Sequence, residues 1–165
     1  MKIGSPQGSH WWIGAFAALA GGGIGLFIRG LTDTVDYDSF PYFAATAAFI
    51  CAVGCWWWLL SRRGTYTWQR GLAAGGLAGG LAHYLCWYLI IVGFNVCFFG
   101  WGGCTGSLGD PPVDLLNGLW VSAGLSILSL LAFGWLTVPL GALAGAAAAA
   151  WYRRRLRKPP PPVQP

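Results

Sequence analysis

The sequence predicts an all-α membrane protein with four transmembrane helices and both termini on the cytoplasmic side. Two observations carry this expectation. Four long apolar stretches run over residues 11–28, 41–60, 71–99 and 115–151, and a helix needs about 20 residues to cross a bilayer core. The charges that flank these stretches are sorted by sign. Only 9% of the 165 residues are charged and 56% are hydrophobic, whereas soluble domains carry about 25% charged residues. Lipid offers no partner to a free N–H or C=O, so each stretch must satisfy its backbone internally, as a helix.

Nine of the ten basic residues fall in three groups if the spans alternate: Lys2; Arg62, Arg63 and Arg70; and Arg153, Arg154, Arg155, Arg157 and Lys158. All five acids fall in the other two loops, as Asp33, Asp36 and Asp38, and as Asp110 and Asp114. Lys and Arg near span ends set orientation. The first, third and fifth segments therefore face the cytoplasm, in what is expected to be the plasma (bacterial inner) membrane. Arg29 stands alone on the other side, where its long stem reaches the headgroups. The net charge of +5 is concentrated at span ends, which argues for anionic lipid headgroups as the partner of residues 153–158 and against nucleic acid.

The first span resembles a signal peptide only in Ala18-Leu19-Ala20. Its polar leader is long and its apolar run continues to Ile28, so it is expected to stay as a span. The third span begins near Arg70 and stays apolar to Trp101. The fourth begins at Asp110-Pro111-Pro112-Val113-Asp114, a helix start with early prolines and acids. Its apolar run to Trp151 is long enough for either a hairpin or one long helix. A hairpin would put residues 153–158 outside, against the charge rule. One helix puts Trp120 and Trp151 roughly 46 Å apart, close to the thickness of a bilayer with its headgroups. One helix, kinked near Pro139, is the expectation. Residues 1–158 form a single domain on this reading, and the Pro-rich segment 159–165 is an extended, disordered tail.

Helices in lipid associate through close packing at small residues. Gly71, Gly75 and Gly79 share one ridge of the third span, and Gly141 and Gly145 share one of the fourth. Both ridges lie in the cytoplasmic half. Ala17, Gly21 and Gly25 on the first span match Ala44, Ala48 and Ala52 on the second at another depth. The spans are thus expected to pack as two hairpins, first with second and third with fourth.

Cys97 and Cys104 flank six residues, three of them Gly. On an oxidising face a disulfide is the default, with a stabilisation of roughly 2–3 kcal/mol on a chain-entropy basis. A redox-active pair is the alternative, but such thiol oxidases resemble this chain only in span count, and the first loop lacks a second Cys pair. Cys51, His83 and Cys86 lie near mid-depth, and thiolates with an imidazole suit copper or zinc. The simpler expectation is that the thiols act as small apolar groups and that His83 hydrogen-bonds a Ser or Thr of the fourth span. Gly118, Ser122, Ser126 and Ser129 lie along one face there. Of the 11 Trp residues, Trp11, Trp12, Trp56-Trp57-Trp58, Trp68, Trp101, Trp120 and Trp151 read as an interfacial belt.

No Asp, Glu, Lys or Arg lies within the four spans, whereas ion-coupled transport generally uses such groups. Sequence motifs for hydrolases or phosphate loops are absent. The expectation is a non-catalytic accessory or assembly subunit of a larger membrane complex, without a cofactor, that packs on other subunits or on its own copies. A pore- or holin-like oligomer and a redox or metal-handling protein are the alternatives.

Overall fold

The computed structural model describes residues 9–31, 38–102 and 111–156. Among them every regular element is helical. Four helices are long and apolar enough to cross a membrane, as an integral membrane protein requires. The expectations for Lys2, Asp33, Asp36, Cys104, Asp110, Arg157, Lys158 and the tail lie outside the described residues.

Helix α1 spans Ser9–Leu31 and α2 spans Phe40–Trp56. Pro41 sits in the first turn of α2, where its missing N–H has no intrahelical role. The second span continues through a π turn at Trp57–Ser61, closed by Arg62 N–H donating to the Trp57 carbonyl at 2.9 Å. Gly64, at φ +60°, then reverses the chain in a conformation that costs glycine little.

Helix α3, Trp68–Trp101, is one unbroken run of 34 residues. Thr67 caps it by accepting from Arg70 N–H at 3.4 Å. Gly102, in the left-handed region, ends it by donating to the Phe98 carbonyl at 3.1 Å, the usual glycine stop.

The fourth span is also continuous: α4 (Leu115–Ser129), a π segment at Leu130–Gly134 and α5 (Trp135–Leu156). No turn divides it. Asp114 starts it by accepting from the N–H groups of Leu116 and Asn117, each at 3.0 Å. Pro139 lies inside α5.

The helical segments extend beyond the apolar runs by up to a turn or so. They run on through Trp, Arg and Ser residues, which the hydropathy pattern does not include. Helix α1 packs on α2, α2 on α3, and α3 on both α4 and α5. One buried cluster, of Cys55, Trp56, Leu60, Tyr66, Ala74 and Ala149, ties the second, third and fourth spans at one end of the molecule. Most large apolar side chains, such as Phe16, Leu19, Leu131 and Leu143, point outward, toward the region that lipid fills.

One part of the tryptophan expectation needs correction. Trp57 and Trp58 are half exposed, at 52% and 53%, but Trp56 is 2% exposed and belongs to the buried cluster. Successive helical residues point about 100° apart, so three adjacent Trp rings cannot all face the lipid interface.

Candidate functional site

A groove of about 720 Å³ runs between the α1–α2 pair and the α3–α5 pair. Its floor comes from α2 and α3. Its walls are α1 on one side and the fourth span on the other. Alanines and glycines make much of this lining: Ala17, Ala20 and Gly21 on α1, Ala44, Ala48 and Ala52 on α2, and Ala78, Gly79 and Ala82 on α3. Small side chains leave the space open. Helix α1 makes no extended contact with α5 among the described residues, so the walls do not close over the floor. At one end Phe40 and Trp87 meet edge-on, with ring centroids 6.2 Å apart.

One polar cluster interrupts the apolar lining. His83 on α3 sits between two hydroxyls of the fourth span. Its Nδ1 is 2.6 Å from Ser129 Oγ and its Nε2 is 2.8 Å from Thr137 Oγ1. All three residues line the groove. His83 stands 15 residues into the 34 of α3, near its middle.

The π segment explains how one imidazole reaches both hydroxyls. Ser129 and Thr137 are eight residues apart. On a regular helix they would point about 80° from each other. A π turn accommodates one extra residue, so the pair sits as if seven apart, within about 20° of alignment. Leu130–Gly134 lies between them and turns both toward α3.

The glycines of the third and fourth spans meet backbone to backbone. A Cβ on Gly75 would overlap the Gly141 carbonyl, and one on Gly71 would overlap the Gly145 carbonyl. In the other direction, a Cβ on Gly141 would lie 2.7 Å from the Gly75 carbonyl oxygen, and one on Gly145 would overlap that of Gly71. Gly79 is looser, with Thr137 O at 3.1 Å. On the other pair, a Cβ on Gly21 would lie 2.8 Å from Ala44 O, and one on Gly25 would lie 2.6 Å from Pro41 Cα.

Of the Gly118–Ser129 face, Gly118, Ser122 and Ser126 are buried. A Cβ at Gly118 would lie 2.9 Å from Ile91 Cγ2 of α3. Ser122 Oγ is enclosed without a hydrogen-bond partner.

Cys51, Cys55 and Cys86 are buried free thiols. Cys86 lines the groove with His83, whereas Cys51 does not. No group of three or more His, Cys, Asp or Glu side chains able to hold a metal ion occurs among the described residues. The set Cys51, His83 and Cys86 is therefore not gathered into a site. The imidazole nitrogens are already bonded to hydroxyls.

Two contributors escape the sequence pattern. Thr137 lies off the Gly118–Ser129 face and joins the cluster only through the π turn. Asn95 is 6% exposed and donates to Ile91 O at 2.9 Å and Val113 O at 2.8 Å, pinning the end of α3 to the segment before α4. A lone Asn in an apolar run was the available signal. No family model, curated protein or solved structure matches this chain.

Proposed function

We propose that the protein is a non-catalytic accessory subunit of a larger membrane complex, and that it holds a lipophilic molecule in the groove between its two helical hairpins. The groove carries this reading. Its volume falls in the ~300–1,000 Å³ range of ligand pockets, and its lining is apolar apart from a few convergent polar groups, as such pockets are. The lack of Asp, Glu, Lys and Arg within the spans supports binding rather than catalysis.

On this reading both termini face the cytoplasm. The basic residues at 153–158 then meet anionic headgroups, Cys97 bonds Cys104 on the opposite side, and the fourth span bends between the π segment and Pro139. The pore alternative has less support, because Ser122 and Ser126 of α4 are buried within the molecule rather than free to line a channel between copies.

The test is purification in mild detergent, followed by mass spectrometry of bound proteins and extracted small molecules. One lipophilic species should stay through detergent exchange, with stoichiometric partner subunits. Ala78→Leu, which fills the groove, should release the small molecule. Recovery of bulk lipid alone, identical in protein and variant, would refute the ligand reading.

A further inference from the structure

The cluster of His83, Ser129 and Thr137 contains enough contacts to assign its protons. Thr137 Oγ1 lies 3.1 Å from the Phe133 carbonyl, which can only accept. A hydroxyl has one proton. If Thr137 donates it to Phe133 O, then His83 Nε2 must carry a hydrogen and donate to Thr137 Oγ1 across 2.8 Å. A neutral imidazole with Nε2–H has a bare Nδ1. Ser129 must then donate to Nδ1 across 2.6 Å. The chain runs one way: Ser129 O–H to His83, His83 N–H to Thr137, Thr137 O–H to the backbone. No other arrangement satisfies all three contacts with a neutral ring.

Every donor in this chain is used. What remains are lone pairs, and Ser129 Oγ has them in the groove wall without a donor assigned to it. A ligand carbonyl or ether would find no hydrogen to accept. A ligand hydroxyl would find an acceptor at mid-membrane, where no water competes for it. Resting on the reading of the groove as a ligand site, we infer that its ligand is an uncharged lipophilic alcohol or phenol whose hydroxyl donates to Ser129 Oγ. His83 and Thr137 are positioning residues: they keep the Ser129 O–H directed at His83 Nδ1 and so leave its oxygen lone pairs available.

Full-length protein in liposomes can be tested with three photoactivatable probes: a long-chain alcohol bearing a diazirine on its chain, its methyl ether, and the corresponding alkane. Adducts are mapped by mass spectrometry. The alcohol should label groove positions such as Ala82 and Leu140 about three- to tenfold more than the ether, the range expected for one hydrogen bond within a membrane. Ser129→Ala should bring the alcohol down to the ether's level and leave ether labelling unchanged. Equal labelling by all three probes inside the groove would overturn the hydroxyl assignment and leave the groove reading standing. Labelling no stronger in the groove than at outward residues such as Leu131 and Leu143 would overturn both. The comparison of alcohol with ether on the unmodified protein needs no variant to fold.

Discussion

Trp56 and Trp57 are neighbours in the chain and opposites in environment. Trp56 packs in the end cluster, with its ring 6.3 Å from that of Tyr66, and Tyr66 in turn lies 4.5 Å from Tyr152. The Tyr66 ring therefore links the end of the second span to the end of the fourth, which is far away in sequence. Trp56→Ala should cost on the order of 2–3 kcal/mol. That is toward the low side for a buried aromatic, because packing rather than escape from water drives association in lipid. Trp57→Ala should cost less than about 1 kcal/mol. Unfolding in mixed micelles would compare them, and equal losses would show that Trp56 is not a core residue. Asp114 offers a pH test at the same scale. The N–H of Asn117, then its side-chain amide, hold this exposed carboxyl below its ordinary value. A depressed folded-state value means the stabilisation is present above the ordinary carboxylate value of about 3.9 and is lost as pH falls through the lower one. The melting-temperature gap between the protein and Asp114→Ala should thus be open at pH 6 and narrow in strong acid. A gap that widens in acid would reverse the sign.

At the scale of elements, the tightest glycine contacts among the described residues are those between α3 and α5. Gly75 and Gly80 lie on the same helix and share the same chemistry. A Cβ on Gly75 would overlap the Gly141 carbonyl, whereas one on Gly80 meets nothing within 4 Å. Gly75→Ala should force the helices apart and lower stability by about 1–3 kcal/mol. Gly80→Ala should be neutral or slightly favourable, since alanine is the better helix former. Thermal unfolding of the two variants checks this, and similar behaviour would mean that the backbones do not approach at Gly75. The same separation predicts that Gly79→Leu is harmful and Ala132→Leu, at an exposed position, is nearly silent. The π segment belongs to this scale as well, because it sets the register that lets Ser129 and Thr137 share His83.

For the whole molecule, the ends of α1 and α2 are joined by an Arg29–Asp38 ion pair of 2.8 Å. Both side chains are about half exposed, so the pair contributes about 0–1 kcal/mol. At the C-terminal end of α5, Arg155 stacks over Trp151 with its guanidinium 4.0 Å from the ring centroid, which suits an interfacial position. Reporter fusions after Lys158 and within residues 65–68 should both read cytoplasmic. An external reading at Lys158 alone would require the fourth span to re-enter the membrane. Non-reducing mass spectrometry of protein from an oxidising compartment should recover a Cys97–Cys104 crosslink, and two free thiols there would remove that bridge from the proposal.

Fold class and span number were legible in the chain because they follow from one-dimensional physics. An apolar run longer than the bilayer core has no choice but helix, and the segment ending at Asp114 marks a helix start through local hydrogen bonding alone. The glycine spacing identified ridges by the same logic, since positions four apart share a face in any helix. The partner of each ridge, and how tightly each glycine is held, needed three dimensions: Gly75 and Gly80 differ only in what another helix places opposite them. The groove, too, was invisible in sequence, because its lining comes from four spans and its emptiness is a property of the gaps between them. His83 was readable as a lone polar group in lipid, and hydroxyls of the fourth span were readable as its partners. That Ser129 and Thr137 hold it together was decided by the π turn at Leu130–Gly134, whose one-residue change of register no helical periodicity announces.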